Sequence, residues 1–493
     1  MRESDAAGTR VAGLVCLLLC LTTLAGAIFG GPRTFSVLAA LTLTGLALWI
    51  GLLHRAVSRR IASGNATVQQ SLAELANRQR DGGDDRALTQ LREAAARHEK
   101  ALNGLHSAVQ KIEDQAALAS ASLLPGPKSV RERPEVLFVS SNGAGLGHLT
   151  RLMAIAERLD AEAEFLTMSS GHRLVAHRGH RVSYFPSYGT LGMETPSWTR
   201  YFAGYIRRFI AERRPDMVVF DGTWVYPGLT EACRLSGTPL VWVQRGCWKG
   251  RKDKSSTQRH NAARVCDAVI LPGDYGCVED VDLGSRIDVC KVSPITLVSR
   301  EQLLGRDEAR QTLGLRPDLR YVLVQLGAGN INDTTSLLDT AVTAVTGLGP
   351  QWVPVVVRSP IAEVERGVDG AVTVASYPVA QHFAAFEFAV GASGYNFVQE
   401  CVGLGLPSVL VPNLAARTDA QRRRAQGVVD LKVASMAAGV DDLPAAIRAT
   451  AECLPAMTRA LEDVARPTGA AEAAKFLIEQ LGKNRFLGQH ANS

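Results

Sequence analysis

The stretch Ser393–Glu400, which reads SGYNFVQE, separates two short apolar segments that have the character of buried strands. Residues 388–390 (FAV) predict the first strand, which ends in Gly391-Ala392, and a helix is predicted to begin near Tyr395. The unpaired backbone amides at the start of a helix favour a bound phosphate. This stretch therefore predicts an anion site at the carboxyl end of a parallel strand.

Glu400 follows about one and a half turns into the same helix, on its polar side. A carboxylate at that place can accept hydrogen bonds from two vicinal hydroxyls, as a ribose offers. After the helix, Gly405-Leu406-Pro407 turns the chain into a second buried strand, Ser408–Val411. Together these features predict a cradle for a nucleotide diphosphate.

The composition indicates a mostly globular chain of several units. Its 493 residues exceed one domain and predict about three. The 46% hydrophobic and 21% charged residues suit a folded globule, and the formal charge is +6. The basic residues are not interleaved with an aromatic platform, so we expect no nucleic-acid partner. The nine cysteines form no CxxC pair or zinc-like spacing, which predicts buried or idle thiols in a reducing compartment.

Two apolar runs near the amino terminus, residues 11–30 and 34–53, each have about the length of a bilayer core. Gly30–Arg33 leaves room only for a tight turn between them. A cleaved signal peptide would explain the first run but not the second. We therefore predict a two-helix transmembrane hairpin over residues 1–55.

Basic residues flank this hairpin on both outer sides. Arg2 and Arg10 precede it, residues 54–60 (HRAVSRR) follow it, and the turn holds only Arg33. The positive-inside rule therefore predicts a multi-pass protein of the cell membrane whose two ends, and everything downstream, are cytoplasmic.

Residues 56–118 are polar and prone to form helix. From Leu88 to Ile112, eight seam positions alternate steps of three and four. This pattern predicts a coiled-coil stalk that makes a homodimer at the membrane, or an amphipathic stalk packed on its own globular part. Residues 119–134 include Pro125-Gly126-Pro127 and are predicted to be a linker.

The first globular unit is predicted over residues 135–305. The apolar strand Val136–Val139 leads into a glycine loop that ends in Gly145-Leu146-Gly147-His148, and a helix is expected from Leu149 to Leu159. The glycines allow a ligand to approach the backbone, although their spacing is a weak match to a dinucleotide fingerprint. The positive end of the helix dipole disfavours a protonated imidazole, so His148 suits a general base. The alternative is that His148 only orders the loop.

Three further buried strands are predicted in this unit: Met217–Phe220, Leu240–Val243 and Ala268–Leu271. Their alternation with helical stretches predicts a doubly wound parallel sheet. Because ligands meet the carboxyl ends of such strands, we expect Asp221, Gln244 and Arg245 on the same rim as His148. Asp221 could orient His148, touch an acceptor, or simply cap a helix. Asp280-Val281-Asp282 resembles a metal-binding DxD, but nothing around it supports that interpretation, and we predict no metal site.

The second unit is predicted over residues 306–493. Strand Tyr321–Leu326 leads into the glycine loop Gly327-Ala328-Gly329, and a helix is expected from Thr334. Further strands are predicted at 353–358 and 372–374, before the cradle. Asp419 and Gln421 follow it, where they could reach a sugar or a phosphate. We expect Arg422-Arg423-Arg424 to form a solvated basic face rather than an extra phosphate contact. The final helix, 470–481, could reach back to the first unit.

This order of motifs resembles the GT-B glycosyltransferases, in which two Rossmann-like α/β domains face a cleft. The likeness is greatest to the family that holds the MurG enzyme and the diacylglycerol galactosyltransferases, with a family 28-like C-terminal domain. It covers roughly residues 135–481. The resemblance implies a UDP-sugar donor, a lipid-linked or envelope-glycan acceptor, no tightly bound cofactor and no tightly bound metal.

The resemblance also implies roles for individual residues. Glu400 would hold the donor ribose, and Asp419 and Gln421 would contact the donor sugar. His148, after Gly145 and Gly147, would face the acceptor. The diphosphate would bind at Ser393, Gly394, Tyr395 and Asn396, with Gly327, Ala328 and Gly329 lining the cleft beside it. One departure is the position of the Asp-x-Gln pair: the family usually has Asp-Gln or Gln-Gln soon after the proline, whereas Asp419-Ala420-Gln421 comes later, after Asn413–Arg417.

The sequence thus predicts a membrane-anchored enzyme that inverts the anomeric carbon of its donor, with His148 as the base and Asp221 as its helper. Helix and loop amides would stabilise the leaving nucleotide diphosphate, and closure of the cleft would exclude water. Two alternatives remain open. One is another enzyme of the same fold, such as a sugar-nucleotide 2-epimerase or a polyol-phosphate transferase. The other is a non-catalytic scaffold.

Overall fold

The computed structural model describes residues 133–490, except for 142–145, 279–282, 284–285, 327–334 and 359–367. The predicted hairpin, the predicted stalk and nearly all of the linker lie outside the described residues. No helix in the described ranges combines the length and the apolar character needed to cross a bilayer.

Seven parallel strands form the first sheet, in the order β3-β2-β1-β4-β5-β6-β7. Its four central strands are almost wholly buried, which explains their continuous runs of apolar residues. The strands are β1 (Glu135–Ser140), β2 (Glu162–Thr167), β3 (Arg181–Tyr184), β4 (Met217–Asp221), β5 (Leu240–Val243), β6 (Ala268–Pro272) and β7 (Asp288–Val292).

Helices connect these strands, as parallel pairing requires. They are α1 (Gly147–Ala156), α2 (His172–His177), α3 (Tyr188–Leu191), α4 (Thr195–Arg213), α5 (Pro227–Ser236), α6 (Gly250–Lys254) and α7 (Thr257–His260). From Pro196 to its end, α4 does not belong to the compact unit that holds both sheets, which comprises Glu132–Thr195 and Pro215–Ser493. Within that helix, the rings of Trp198 and Phe202 stack with their centroids 5.3 Å apart.

Six parallel strands form the second sheet, in the order β10-β9-β8-β11-β12-β13. The strands are β8 (Arg320–Gln325), β9 (Trp352–Val357), β10 (Val372–Val374), β11 (Phe388–Ala392), β12 (Ser408–Val411) and β13 (Ala434–Met436). The helices are α8 (Arg306–Thr312), α9 (Thr335–Thr346), α10 (Tyr395–Leu404), α11 (Gln421–Asp430), α12 (Leu443–Glu462) and α13 (Gly469–His490).

The predicted fold class is confirmed for this part of the chain, which contains two Rossmann-like parallel sheets. Several element boundaries differ from the predictions by one to three residues. The helix after the first glycine loop, for example, begins at Gly147 and ends at Ala156 rather than running from Leu149 to Leu159. Strands β2, β3, β7 and β13 were not predicted, because each is short or carries charged residues.

The last helix packs on the core of the first sheet, where Ala473, Ala474 and Leu477 of α13 join the cluster around Phe138 and Leu152. The second sheet has buried clusters of its own, such as that of Val324, Val390 and Val409.

The chain approaches itself closely where the loop after β6 meets α11. A Cβ added to Gly427 would lie 2.0 Å from the carbonyl oxygen of Gly276, so no larger residue fits there without a shift of the backbone. The two sheet-bearing parts are therefore in direct backbone contact at this point.

Candidate active site

His148 and Asp221 meet where the carboxyl ends of β1 and β4 lie side by side. Asp221 ends β4 and is paired in register with Ser140 of β1, so the loop after β1 brings the start of α1 next to it. Nδ1 of His148 lies 2.6 Å from Oδ1 of Asp221. The Asp221 side chain is buried, whereas that of His148 is 24% exposed. The imidazole thus stands between a buried carboxylate and solvent.

Arg151, which sequence reasoning missed, completes this cluster. It lies one turn after His148 on the same face of α1. Its Nε and Nη2 donate to Oδ2 and Oδ1 of Asp221, each at 2.8 Å. Its side chain is only 2% exposed. The cluster is therefore a buried, bidentate ion pair with the histidine attached to one oxygen.

The charge on Asp221 determines the tautomer of His148. Burial by itself would raise the pKa of the Asp221 carboxyl, but the charges and hydrogen bonds of Arg151 and His148 bring it below its ordinary value. Nδ1 of His148 must then carry the proton that it donates to this carboxylate. Nδ1 of His148 lies 3.0 Å from Nη2 of Arg151, and this is not a hydrogen bond, because both nitrogens are donors that share one acceptor, Oδ1 of Asp221. Nε2 of His148 makes no hydrogen bond with any residue that the structure describes, and its lone pair is available to accept a proton.

The starts of α1 and α10 meet at this cluster. Nδ2 of Asn396 donates to the carbonyl oxygen of Gly147 at 3.3 Å, and its Oδ1 accepts from Nη1 of Arg151 at 3.4 Å. Neither helix has a side-chain cap, so the amides of both first turns remain available to an anion. Since no side chain caps the start of α1, the structure does not support the alternative in which His148 only caps this helix.

Tyr395 joins the two sheet-bearing parts. Its hydroxyl donates to the carbonyl oxygen of Gly273 at 2.8 Å and accepts from the amide of Ile295 at 3.1 Å. Its ring lies under the guanidinium of Arg151, 5.0 Å from ring centroid to Cζ. The side chains of Tyr395 and Asn396 are thus engaged in structural contacts, and the groups left for a diphosphate are the backbone amides.

A glycine at the end of β11 allows α10 to start where it does. The ring of Phe397 packs over Gly391, and a Cβ added there would lie 2.2 Å from that ring. Gly394 then precedes the helix in extended backbone. The local sequence GASGYN therefore folds as predicted, with a short strand turning directly into an uncapped helix.

Glu400 is a half-buried carboxylate without a partner among the described residues. Burial raises its pKa to about 8. It lies close enough to Tyr377 for the two groups to interact electrostatically, and the Tyr377 hydroxyl is 2.8 Å from Oγ1 of Thr150. A carboxyl group that is partly buried and unpaired is suited to a polar ligand that would supply the missing hydrogen bonds.

Asp419 lies in a second ionic cluster. Its Oδ1 accepts from Nη1 of Arg245 at 2.6 Å and from Nη1 of Arg424 at 2.9 Å. Burial alone would raise the pKa of the Asp419 carboxyl, but the two arginines lower it. A short antiparallel bridge between Trp248 and Asp419 holds the loops together. The sugar contact that the resemblance implies for Asp419 would have to be made beside these two ion pairs.

The expectation that residues 422–424 form a solvated basic face is wrong for Arg424, whose side chain is fully buried. Its Nε donates to Oδ2 of Asp274 at 2.6 Å, and its Nη1 donates to the carbonyl oxygen of Ser393 at 3.1 Å. The pKa of the Arg424 guanidinium is raised although burial alone would lower it, because Asp274 and Asp419 lie against it. Arg424 is thus buried because it pairs with two carboxylates, Asp274 and Asp419, of which the sequence pattern had singled out only Asp419.

Of the other predicted site residues, the structure describes Gln421 and Ser393, while several others lie outside the described residues. Oε1 of Gln421 accepts from the amide of Asn413 at 2.9 Å, which orders the loop before α11. Ser393 is buried, and its Oγ has no hydrogen-bond partner among the residues that the structure describes. Gly145, Gly327, Ala328, Gly329 and the DxD-like residues 280–282 lie outside the described residues.

Two signals in the sequence could have located the missed residues. Arg151 is three residues after the proposed base on a predicted helix, where i and i+3 share a face. Asp274 follows β6 by two residues, at the same edge of the sheet as Asp221. Charged residues at such positions are candidates for the site even when no motif includes them.

A pocket of about 290 Å³ opens at the carboxyl ends of β5, β6 and β7. Neighbouring strands are about 5 Å apart, so this pocket begins one strand from Asp221. The same edge of the sheet thus holds both the His148–Asp221 pair and room for a ligand. Its lining includes Gln244, Gly246, Arg259, Pro272, Asp274 and Tyr275.

No protein-family model matches the chain, but sequence comparison finds relatives among named transferases. A "UDP-N-acetylglucosamine--N-acetylmuramyl-(pentapeptide) pyrophosphoryl-undecaprenol N-acetylglucosamine transferase" of Clavibacter sepedonicus is 27% identical over 296 residues, which are 56% of this chain and 76% of the relative. The enzyme of that name from Mycobacterium sp. (strain JLS) is 28% identical over 313 residues, 59% of this chain and 79% of the relative.

Among solved structures, the MurG of Acinetobacter baumannii superposes with a TM-score of 0.46 at 15% identity, covering 70% of this chain and 99% of that one.

Proposed function

We propose that the chain is a GT-B glycosyltransferase resembling the MurG-type transferases. On this premise, it moves a sugar from a UDP-sugar to a hydroxyl of a lipid-linked or cell-envelope acceptor. The transfer inverts the anomeric carbon. The observation that carries this proposal is the free Nε2 of His148, whose Nδ1 is held by Asp221 beside the uncapped start of α10. A base and an anion site for the leaving diphosphate are thereby adjacent.

The base in this reaction is His148. Its Nε2 takes the proton from the acceptor hydroxyl as the oxygen attacks the anomeric carbon, and the bond to the nucleotide diphosphate breaks. Asp221 keeps the imidazole in the tautomer that exposes Nε2 and stabilises the imidazolium that forms. Arg151 keeps Asp221 ionised and in place through two hydrogen bonds.

The leaving UDP carries developing negative charge on its diphosphate. The backbone amides at the start of α10 point towards this charge, and the helix dipole has the favourable sign. Glu400, one and a half turns further along, is placed to accept the ribose hydroxyls. Burial raises the pKa of Glu400 because the carboxylate has lost its water, and ribose hydroxyls would supply hydrogen bonds in place of that water.

The location of the enzyme is a further part of the proposal. The apolar runs at 11–30 and 34–53 would anchor the chain as a hairpin, and the basic residues outside them would keep the catalytic part on the cytoplasmic side. A membrane-bound enzyme with both Rossmann-like sheets in the cytoplasm has access to soluble UDP-sugars and to acceptors in the inner leaflet.

The test is product analysis with the full chain in detergent or nanodiscs. The purified protein is offered a panel of UDP-sugars together with total membrane lipids, and the products are identified by mass spectrometry and by the anomeric configuration of the new bond. A glycosylated lipid of inverted configuration, formed by the wild type and not by His148→Asn, is expected. A product of retained configuration would refute the single displacement, and an isomerised nucleotide sugar without an acceptor product would favour an epimerase.

A further inference from the structure

Trp224 is unlike the other tryptophans of the described ranges. Trp198, Trp242, Trp248 and Trp352 are all buried, whereas Trp224 is 47% exposed. It follows Asp221 by three residues, in the loop that leaves the carboxyl end of β4. A large aromatic surface is therefore presented to solvent next to the proposed base.

The Trp224 ring is held in a defined orientation. It meets the ring of Trp248 edge to face, with centroids 6.0 Å apart and planes at 86°. Nε1 of Trp248 in turn donates to the carbonyl oxygen of Arg245 at 2.9 Å. An aromatic ring fixed in this way loses little conformational entropy when a ligand covers it.

The loop that carries Trp224 is fixed as well. Both backbone groups of the next residue, Val225, are bound by the amide side chain of Gln258, at 3.0 Å and 3.1 Å. The exposure of Trp224 is thus a property of an ordered loop. The Trp224 ring is not part of a hydrophobic core, yet the surrounding structure holds it exposed to solvent. This arrangement points to a ligand that binds the ring.

Trp224 lies near the proposed base because both are at the carboxyl end of β4. Three residues of chain span at most about 11 Å, so the Cα of Trp224 lies within that distance of the Cα of Asp221. Asp221 contacts His148 directly. A saccharide that covers the indole therefore lies at the carboxyl end of β4, where His148 also contacts Asp221.

We infer that Trp224 is a stacking platform for the sugar ring of a saccharide acceptor, and this inference rests on the proposed function. Pyranose rings have apolar C–H faces and polar edges, which suit an exposed indole with hydrogen-bonding groups around it. The neighbouring helix α6 carries three exposed cations, Arg251, Lys252 and Lys254, rather than the continuous apolar surface that an acyl chain needs. The acceptor is therefore a glycosylated molecule rather than a bare diacylglycerol.

Direct binding is tested by fluorine NMR on the full chain labelled with 5-fluorotryptophan. The Trp224 signal is assigned by its loss in Trp224→Phe. Methyl glycosides of glucose, N-acetylglucosamine and N-acetylmuramic acid are then titrated to tens of millimolar, a range that covers weak monosaccharide binding. A saturable shift of the Trp224 signal with at least one glycoside is expected. No shift with any of them would overturn the inference.

A parallel titration distinguishes a lipid surface from a sugar. Vesicles of phosphatidylglycerol and diacylglycerol are added to the same labelled protein in nanodiscs. A shift of the Trp224 signal with vesicles but not with glycosides would identify Trp224 as a membrane contact and would refute the saccharide platform.

Kinetics provide the second readout once an acceptor has been identified. Trp224→Ala should raise KM for the acceptor about tenfold, because the acceptor no longer buries one face of the indole ring. KM for the UDP-sugar should be unchanged. Trp224→Tyr should recover most of the loss. Leu235→Ala on α5 is the matched control, since Leu235 is an exposed apolar residue, 56% accessible, on another helix. An equal rise in both KM values would contradict the inference.

Failure of the Trp224 platform can be distinguished from failure of the proposed function. Binding of UDP, measured by calorimetry, does not involve Trp224. If UDP binds and sugar is transferred while Trp224→Ala behaves like the wild type, only the platform is refuted. If UDP does not bind at all, the proposed function itself fails.

Discussion

Arg151→Met is the substitution that tests the buried cluster most directly. Methionine keeps much of the length of arginine but removes the charge and the two hydrogen bonds to Asp221. Both side chains of the pair are almost inaccessible, at 2% for Arg151 and 1% for Asp221. The substitution therefore leaves a buried carboxylate with only His148 as a partner.

The expected loss can be estimated from this geometry. With charge centres near 4 Å and an effective dielectric constant of about 20, the attraction is worth ~4 kcal/mol. Removing one partner of a buried ion pair typically costs about 3–5 kcal/mol. We therefore expect Arg151→Met to lower the free energy of unfolding by ~4 kcal/mol at neutral pH.

The pH dependence of this loss follows from the sign of the pKa shift. In the wild type the pKa of Asp221 is lowered, so the pair stabilises the fold above the ordinary carboxyl pKa and this contribution is lost as the pH falls through the lowered value. In the variant, burial dominates and raises the pKa of Asp221. The two proteins should therefore differ most near pH 7 and least below about pH 4.

The assay is urea denaturation of the wild type, Arg151→Met and the double variant Arg151→Met/Asp221→Asn at pH 7. The double variant should regain part of the lost stability, because a neutral amide is less costly to bury than a carboxylate, but it should not regain turnover. Equal denaturation midpoints for the wild type and Arg151→Met would refute the buried ion pair. Full activity in the double variant would refute the role of Asp221 as the orienting partner of His148.

Three further predictions concern the base, the ribose contact and the stalk. His148→Asn should lower kcat about 10²–10⁴-fold and leave UDP affinity in calorimetry nearly unchanged; near-full turnover would show that His148 only orders its loop. For Glu400, with a pKa of about 8, UDP affinity should rise between pH 6 and pH 9 as the carboxylate forms, and Glu400→Gln should abolish that rise. A carboxyl group whose pKa is raised by folding destabilises the fold as the pH rises towards that pKa. Glu400→Gln should therefore also unfold at a higher temperature than the wild type at pH 9. If the pH profile of UDP affinity is the same in Glu400→Gln as in the wild type, Glu400 is not part of the site. A peptide of residues 87–118 should sediment as a dimer, and a monomer at high concentration would exclude the coiled coil.

Much of the sheet architecture was predictable from short-range pattern. The strands Leu240–Val243 and Ser408–Val411 have the bounds that their apolar runs predicted. A strand covered on both faces must be apolar at every position, so its sequence alone identifies it. The juxtaposition of His148 and Asp221 followed from the same logic, because the carboxyl ends of neighbouring parallel strands meet at one edge.

The partners of the buried charges could not be read in this way. Arg151 and Asp221 are 70 residues apart, and Arg424 and Asp274 are 150 apart. In the sequence, Arg424 is one of three consecutive arginines, and periodicity does not distinguish the buried member from the exposed ones. Whether a charged side chain is buried depends on a counter-charge supplied by a distant element, and only the tertiary structure brings that element into place.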